Sequence, residues 1–172
     1  MKTIIFGFSR PKTWKPFAKA IMWLDSIPYD HAFTMFPGLS WGVNFIYQQS
    51  GLRTNFMSGT LFDSIAHVEE QYELDIEDDI YSKIGNLCVQ REGISYGILQ
   101  VIGKGLVRIV YLLSNGKLAF KNPFRHSTDC IEEQALILNQ CLGISVSLDM
   151  NTITVKPYRD FIASIPGIRR TK

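Results

Sequence analysis

Cysteine is scarce in this sequence: Cys88, Cys130 and Cys141 are the whole set, and no two of them form a CxxC pair. An odd, widely spaced set excludes a disulfide framework and gives a structural zinc site none of its ligand spacing. A reducing compartment is the expected setting. Long apolar runs are missing as well. The longest candidate, 94–113, is interrupted by Gly97, Gly103, Lys104, Gly105 and Arg108. It falls short of the ~18 unbroken residues that a membrane span needs, so no stable membrane insertion is expected. The opening MKTIIFGF stops at Ser9 and is followed by Arg10, Pro11 and Lys12. That is too short for a signal peptide's apolar region and cleavage site; it reads as a buried strand, and the expected location is cytoplasmic. Nor is there an excess of charge of one sign. With 18 basic and 16 acidic residues the formal net charge is +2, which gives no long-range attraction to nucleic acid or anionic lipid. No GxxxxGK[ST] or GxGxxG pattern occurs, so neither a nucleotide nor any other cofactor is implied, and no nucleic-acid partner is expected.

The 172 residues are 46% hydrophobic and 20% charged, enough to bury a core and suited to a single domain over 1–172. Strands are expected at 2–8, 29–36, 41–47, 52–57 and 67–74. A helix is expected from a Thr13 cap to about Leu24, and another one- or two-turn helix at 60–66. Further helices are expected at 76–90, 95–113 and 129–142, with a last short helix opened by Pro157. Pro37 and Gly38 read as a turn, and 114–127 as a loop. Arg169, Arg170 and Lys172 read as a frayed basic tail. Strands grouped in the middle of the chain favour α+β architecture, a central antiparallel sheet packed against helices.

Cys130 follows Ser127, Thr128 and Asp129, a run of helix-capping residue types, and precedes the stripe Ile131, Ala135, Leu138. Asp129 and Glu132 have capping-box spacing. A thiol in the first turn of a helix sits among unpaired N–H groups and the positive end of the helix dipole, which favour thiolate and can receive an oxyanion. The same position also suits a small buried hydrophobe. Cys88 and Cys141 fall in apolar stripes late in their helices and read as buried structural residues. Three histidines can serve as base. His31 begins an apolar strand, which would aim its ring rigidly; His67 begins a polar strand; His126 lies in the loop before Cys130. Gln48 or Gln49 can orient an imidazole through a carbonyl oxygen, as Asn does in Cys-His-Asn sites, or can simply serve surface hydrogen bonding. The acidic run Glu77, Asp78, Asp79 reads as charge bias at a helix start, and no metal ligand set is expected.

Four segments stand in a telling order: Pro28-Tyr29-Asp30-His31-Ala32-Phe33, Tyr47-Gln48-Gln49-Ser50-Gly51, Tyr96-Gly97 and Asp129-Cys130-Ile131-Glu132. Together they resemble the circularly permuted papain-like (NlpC-type, YiiX/YaeF-like) cysteine hydrolases. In that family a Tyr-Ser-His strand supplies the base, the next strand an orienting polar residue, and a late Cys-Ser-Glu helix start the nucleophile. The tail from Thr152 to Tyr158 is similar to the family's Thr-Ile-Thr-Pro segment, and Phe6 to Lys12 looks like small phage-encoded members. The resemblance implies a permuted papain-like fold in which Cys130 attacks an acyl carbon, His31 takes its proton, Gln48 orients the ring, the Cys130 N–H helps hold the oxyanion and Tyr29 lines the site. It implies a peptide, amide or ester substrate, peptidoglycan among them, without a cofactor. A phage context implies the host cytoplasm or the virion, with virion proteins as partners. Asp30 stands where the family has Ser, Ile131 where it has Ser, and Gln48 lacks the charge of a carboxylate orienter. The same residues also fit a non-catalytic structural or interaction protein that keeps the fold.

Overall fold

A strand that is apolar on both faces belongs inside a sheet. β1 (Lys2–Pro11) is buried from Ile4 through Ser9 and pairs antiparallel with β2 (His31–Ser40) on one side and β5 (Ala66–Ile76) on the other. β3 (Val43–Ser50), β4 (Arg53–Ser58) and the two-residue β6 (Arg169–Arg170) complete a six-stranded antiparallel sheet of order β4-β3-β2-β1-β5-β6. Its helices are α1 (Pro16–Asp25), α2 (Gly59–Ile65), α3 (Asp78–Gln90), α4 (Ile98–Leu113), α5 (Cys130–Cys141) and α6 (Val155–Ala163). The computed structural model describes residues 1–13, 15–40, 42–50, 53–95, 97–115, 117–118, 122, 128–150 and 153–172, without the side chains of 17, 24, 39, 40, 50 and 98. The architecture is α+β. No helix among the described residues is long and apolar enough to cross a membrane.

Side chains alternate between the sheet's two faces. On one face Ile4, Phe6, Phe8, Ala32, Phe36, Tyr47 and Tyr72 form one core with residues of α3, α5 and α6. On the other, Ile5, Phe33, Met35 and Ile46 pack with Phe62 of α2. Gly7 is needed where these layers meet β1: a Cβ there would lie 2.1 Å from Phe33 Cζ, and the Phe33 ring is held at 4.7 Å from that of Phe62.

Several boundaries differ from the sequence reading. α1 is capped by Lys15, not Thr13, and has Pro16 in its first turn. Pro37 and Gly38 do not end β2: the ladder shifts register between Phe36 and Ser40, so the proline sits where no ladder N–H is required. α6 starts at Val155 after Thr154, which makes Pro157 its third residue. The Arg169–Arg170 tail is a strand: its edge is tied to β5 by Thr171 N–H donating to Gln71 O at 3.0 Å, and Arg169 Nη2 lies 2.8 Å from Asp75 Oδ2. Most of the expected 114–127 loop lies outside the described residues.

Candidate active site

α5 begins at Cys130 because Asp129 caps it. The Asp129 Oδ1 accepts from Ile131 N–H at 3.0 Å and Glu132 N–H at 3.1 Å, which satisfies two orphan donors of the first turn. Lys104 of α4, almost fully buried, donates to Asp129 Oδ2 and lies 3.5 Å from Glu132 Oε1; Gln100 also donates to Glu132. Further along α5, Glu133 accepts from Arg91 Nε at 2.7 Å and Tyr47 O–H at 2.9 Å. These contacts lock the helix start against α4 and its body against α3 and β3. They carry the Cys130 sulfur to the beginning of β2, where the Ala32 backbone N–H hydrogen-bonds it.

His31, the first residue of β2, places Nε2 3.0 Å from Gln48 Oε1 on β3. A carbonyl oxygen can only accept, so Nε2 carries the proton and a neutral ring leaves Nδ1 as its basic nitrogen. The amide end of Gln48 donates to Met57 Sδ at 3.1 Å, which fixes the side chain's orientation. Strand alternation puts His31 and Gln48 on the α2 side of the sheet, with Phe33 and Ile46, whereas Asp30 and Ala32 face the α5 side. The sulfur therefore meets β2 at its end, with Asp30 and Ala32 flanking the residue that carries the imidazole.

The electrostatics differ from the expectation of a thiolate. Burial pushes the Cys130 thiol up to about 12; the Asp129 and Asp30 charges add to this, and the Ala32 hydrogen bond and Lys104 only partly oppose it. The helix-dipole argument fails because Asp129 already occupies first-turn N–H groups and brings a negative charge beside the sulfur. Burial also pushes His31 down to about 4, against the opposing pull of its Gln48 hydrogen bond. At neutral pH the site therefore holds a thiol and a neutral imidazole. Asp30 is raised to about 6, chiefly by burial.

Beside Cys130 is a cleft of about 50 Å³ lined by Ile21, Val101, Ile131, Ile153, Asp25, Asp30, Asp129 and Lys104 among others, room for one or two waters at ~30 Å³ each. Asp25 Oδ1, Asp30 Oδ1 and the Tyr158 hydroxyl are buried without hydrogen-bond partners among the described residues. Sequence reading missed Lys104, which looked like a break in an apolar helix, and Tyr158, whose buried hydroxyl lies in the electrostatic field of Cys130.

The other named residues fall as follows. Tyr29, expected to line the site, is fully buried, packs at 5.4 Å on Phe8 and accepts from Arg159 Nε at 2.7 Å. Gln49 donates to Thr128 Oγ1 at 3.2 Å, on the α5 side, and is not the residue at His31. His67 is exposed on β5. Cys88 and Cys141 are buried, and their thiols are raised chiefly by that burial. His126, Tyr96, Gly51, Ser127 and Thr152 lie outside the described residues.

No family model matches the chain, and no curated protein does. Among solved structures the chain is similar to one described as metalloprotein yiiX from Escherichia coli O157:H7, DUF1105, with 11% sequence identity and a TM-score of 0.60 over 99% of this chain and 95% of that one. At that identity the likeness concerns the fold: an α+β architecture like that of yiiX. Among the described residues no group of three or more His, Cys, Asp or Glu side chains is placed to hold a metal ion. Of the acids near Cys130, Asp129 is engaged by Lys104 and the helix N–H groups. The described residues do not fit a metal centre.

Proposed function

We propose that the protein is a thiol-dependent hydrolase of the amidase, peptidase or acyl-hydrolase class with a permuted papain-like fold, working through Cys130 and His31 with Gln48 as orienter. The observation that carries this reading is the hydrogen bond of His31 Nε2 to Gln48 Oε1 at 3.0 Å, which leaves Nδ1 basic while Cys130 stands at a helix start against the residue next to His31. In this reading the His31 ring, which stands with Gln48 on the α2 side of the sheet, reaches the sulfur around the start of β2, and Nδ1 then takes the thiol proton as sulfur bonds to the acyl carbon. The imidazolium then returns the proton to the leaving amine or alcohol, and water releases the acyl group from sulfur by the reverse sequence. Because the resting pair is neutral, proton transfer accompanies attack instead of preceding it. The neutral carbonyl of Gln48 orients the ring but stabilises imidazolium less than a carboxylate would. The cleft is too small for an acyl chain as it stands, so binding separates its α1, α4 and α6 walls. Cell-wall peptides are the favoured substrates, in a phage protein acting from the host cytoplasm or the virion.

A non-catalytic structural role, with virion proteins as partners, is the second reading, favoured by the deep burial of the thiol and its elevated pKa. An activated acyl ester such as p-nitrophenyl acetate separates the two. The hydrolase acquires one acyl group on Cys130, found by peptide mass mapping, and His31→Ala slows acylation by about 10²–10⁴. Acylation spread equally over Cys88, Cys130 and Cys141, or insensitive to His31→Ala, would end the hydrolase reading.

A further inference from the structure

The outward face of α4 is apolar along its whole length. Leu99, Ile102, Leu106, Ile109 and Leu113 are 60%, 38%, 45%, 37% and 80% exposed, although buried Gln100, Lys104 and Val107 on the opposite face seat the helix in the protein. The five follow one another at intervals of 3, 4, 3 and 4 residues, the spacing that puts them in one stripe along a single face of the helix. No charged residue interrupts them. The order Leu-Ile-Leu-Ile-Leu also reads the same in both directions about Leu106. An isologous contact needs a patch complementary to itself under a two-fold rotation. An antiparallel pair of α4 helices with the axis at Leu106 sets Leu106 on its own copy and Leu99 on Leu113, with Ile102 and Ile109 facing each other one residue out of register.

We infer that the exposed seam of α4 is the interface of a two-fold symmetric homodimer, closed by antiparallel packing of this helix on a second copy of the chain. The exposed parts of these five side chains amount to roughly 500 Å² per copy, at the upper end of the patches that monomers carry. This is over half of the ~800 Å² per partner in a standard interface, with neighbouring residues left to form the rim. The expected result is a reversible dimer in the micromolar range. The seam faces away from the helix's Lys104 side, so dimerisation leaves Asp129 and the α5 start in place.

Sedimentation velocity on the full chain from 1 to 200 µM tests this. The expected result is a concentration-dependent shift to twice the 19.6 kDa chain mass. Leu106→Glu, which opposes two carboxylates on the axis, should weaken association at least 100-fold while circular dichroism stays native. Leu106→Cys should oxidise to a disulfide-linked dimer; Leu99→Cys alone should not, because its antiparallel partner is Leu113. This pair tests the geometry even if the glutamate variant fails to fold. A wild-type chain that stays monomeric at 200 µM, with or without co-sedimentation on phosphatidylglycerol vesicles, overturns the inference. So does equal cross-linking of the two cysteine variants.

Discussion

Asp30 and His31 are neighbours in sequence whose displaced pKa values act on stability in opposite directions, and that opposition can be measured. His31 is lowered from 6.5 to about 4, so on acidification the unfolded chain takes up the proton first and stability falls through that window. Asp30 is raised from 3.8 to about 6, so the folded chain takes up the proton first and stability rises as pH falls through its window. At 1.36 kcal/mol per pH unit each is worth at most about 3 kcal/mol; the partial exposure of both residues makes this an upper figure. The windows overlap between about pH 4 and 6, where the two contributions nearly cancel. Urea unfolding of wild type, Asp30→Asn and His31→Gln at pH 6.5, 5 and 4 separates them. Relative to wild type, Asp30→Asn should lose up to about 3 kcal/mol between pH 6.5 and 4, and His31→Gln should gain a similar amount. Comparing each variant with wild type at the same pH removes the titration of all other carboxylates. Parallel curves for the three proteins would refute the claim that both groups are desolvated at the mouth of β2.

Gln48→Glu places a carboxylate where Oε1 meets Nε2, and a charge at that distance raises a histidine pKa by about 1–3 units; the His31 Cε1 proton resonance followed against pH should show its titration moving up from about 4. Asp129→Asn keeps a good helix cap but removes the charge that, after burial, raises the thiol most, so alkylation of Cys130 by iodoacetamide at pH 8 should speed up, on the order of 10-fold for each unit by which the thiol falls. Glu133→Ala strands Arg91 and the buried Tyr47 hydroxyl, and should cost about 3–5 kcal/mol in urea unfolding, with Glu133→Gln costing less because it retains an acceptor.

The parts of this fold that were legible in the sequence are those with local causes. β1 announced itself by an unbroken apolar run, and α5 by the Asp129 cap with a stripe behind it; the residues alone left Gln48 and Gln49 open as partners of His31, and only the family resemblance singled out Gln48. What was not legible depends on partners distant in sequence. Lys104 looked like an interruption of an apolar helix because Asp129, which neutralises it, is 25 residues away. Arg169 and Arg170 looked like a frayed end because the free edge of β5 that receives them is built from residues almost a hundred positions earlier. Pro37 looked like a strand terminator because a register shift cannot be read from one strand alone. The thiolate expectation failed for a different reason: a helix N-terminus lowers a thiol's pKa only while its N–H groups are free and its surroundings are wet, and the cap that made α5 recognisable removes the first condition while burial removes the second.

The same cap limits how an oxyanion could be held at Cys130. The Ile131 and Glu132 N–H groups belong to Asp129, and Asp129 is anchored by Lys104, so a developing negative charge would have to displace a buried ion pair to use them. Such an exchange is poorly matched to catalysis, which depends on donors that are already in place before charge develops. Besides the Cys130 N–H itself, the donors near the sulfur are the Ala32 N–H, which a thiolate would itself engage, and the Tyr158 hydroxyl, buried and without a partner among the described residues. An unpaired buried hydroxyl costs about 1–3 kcal/mol in the resting protein. A negative charge forming on the acyl oxygen beside it would recover that cost in the transition state and not before.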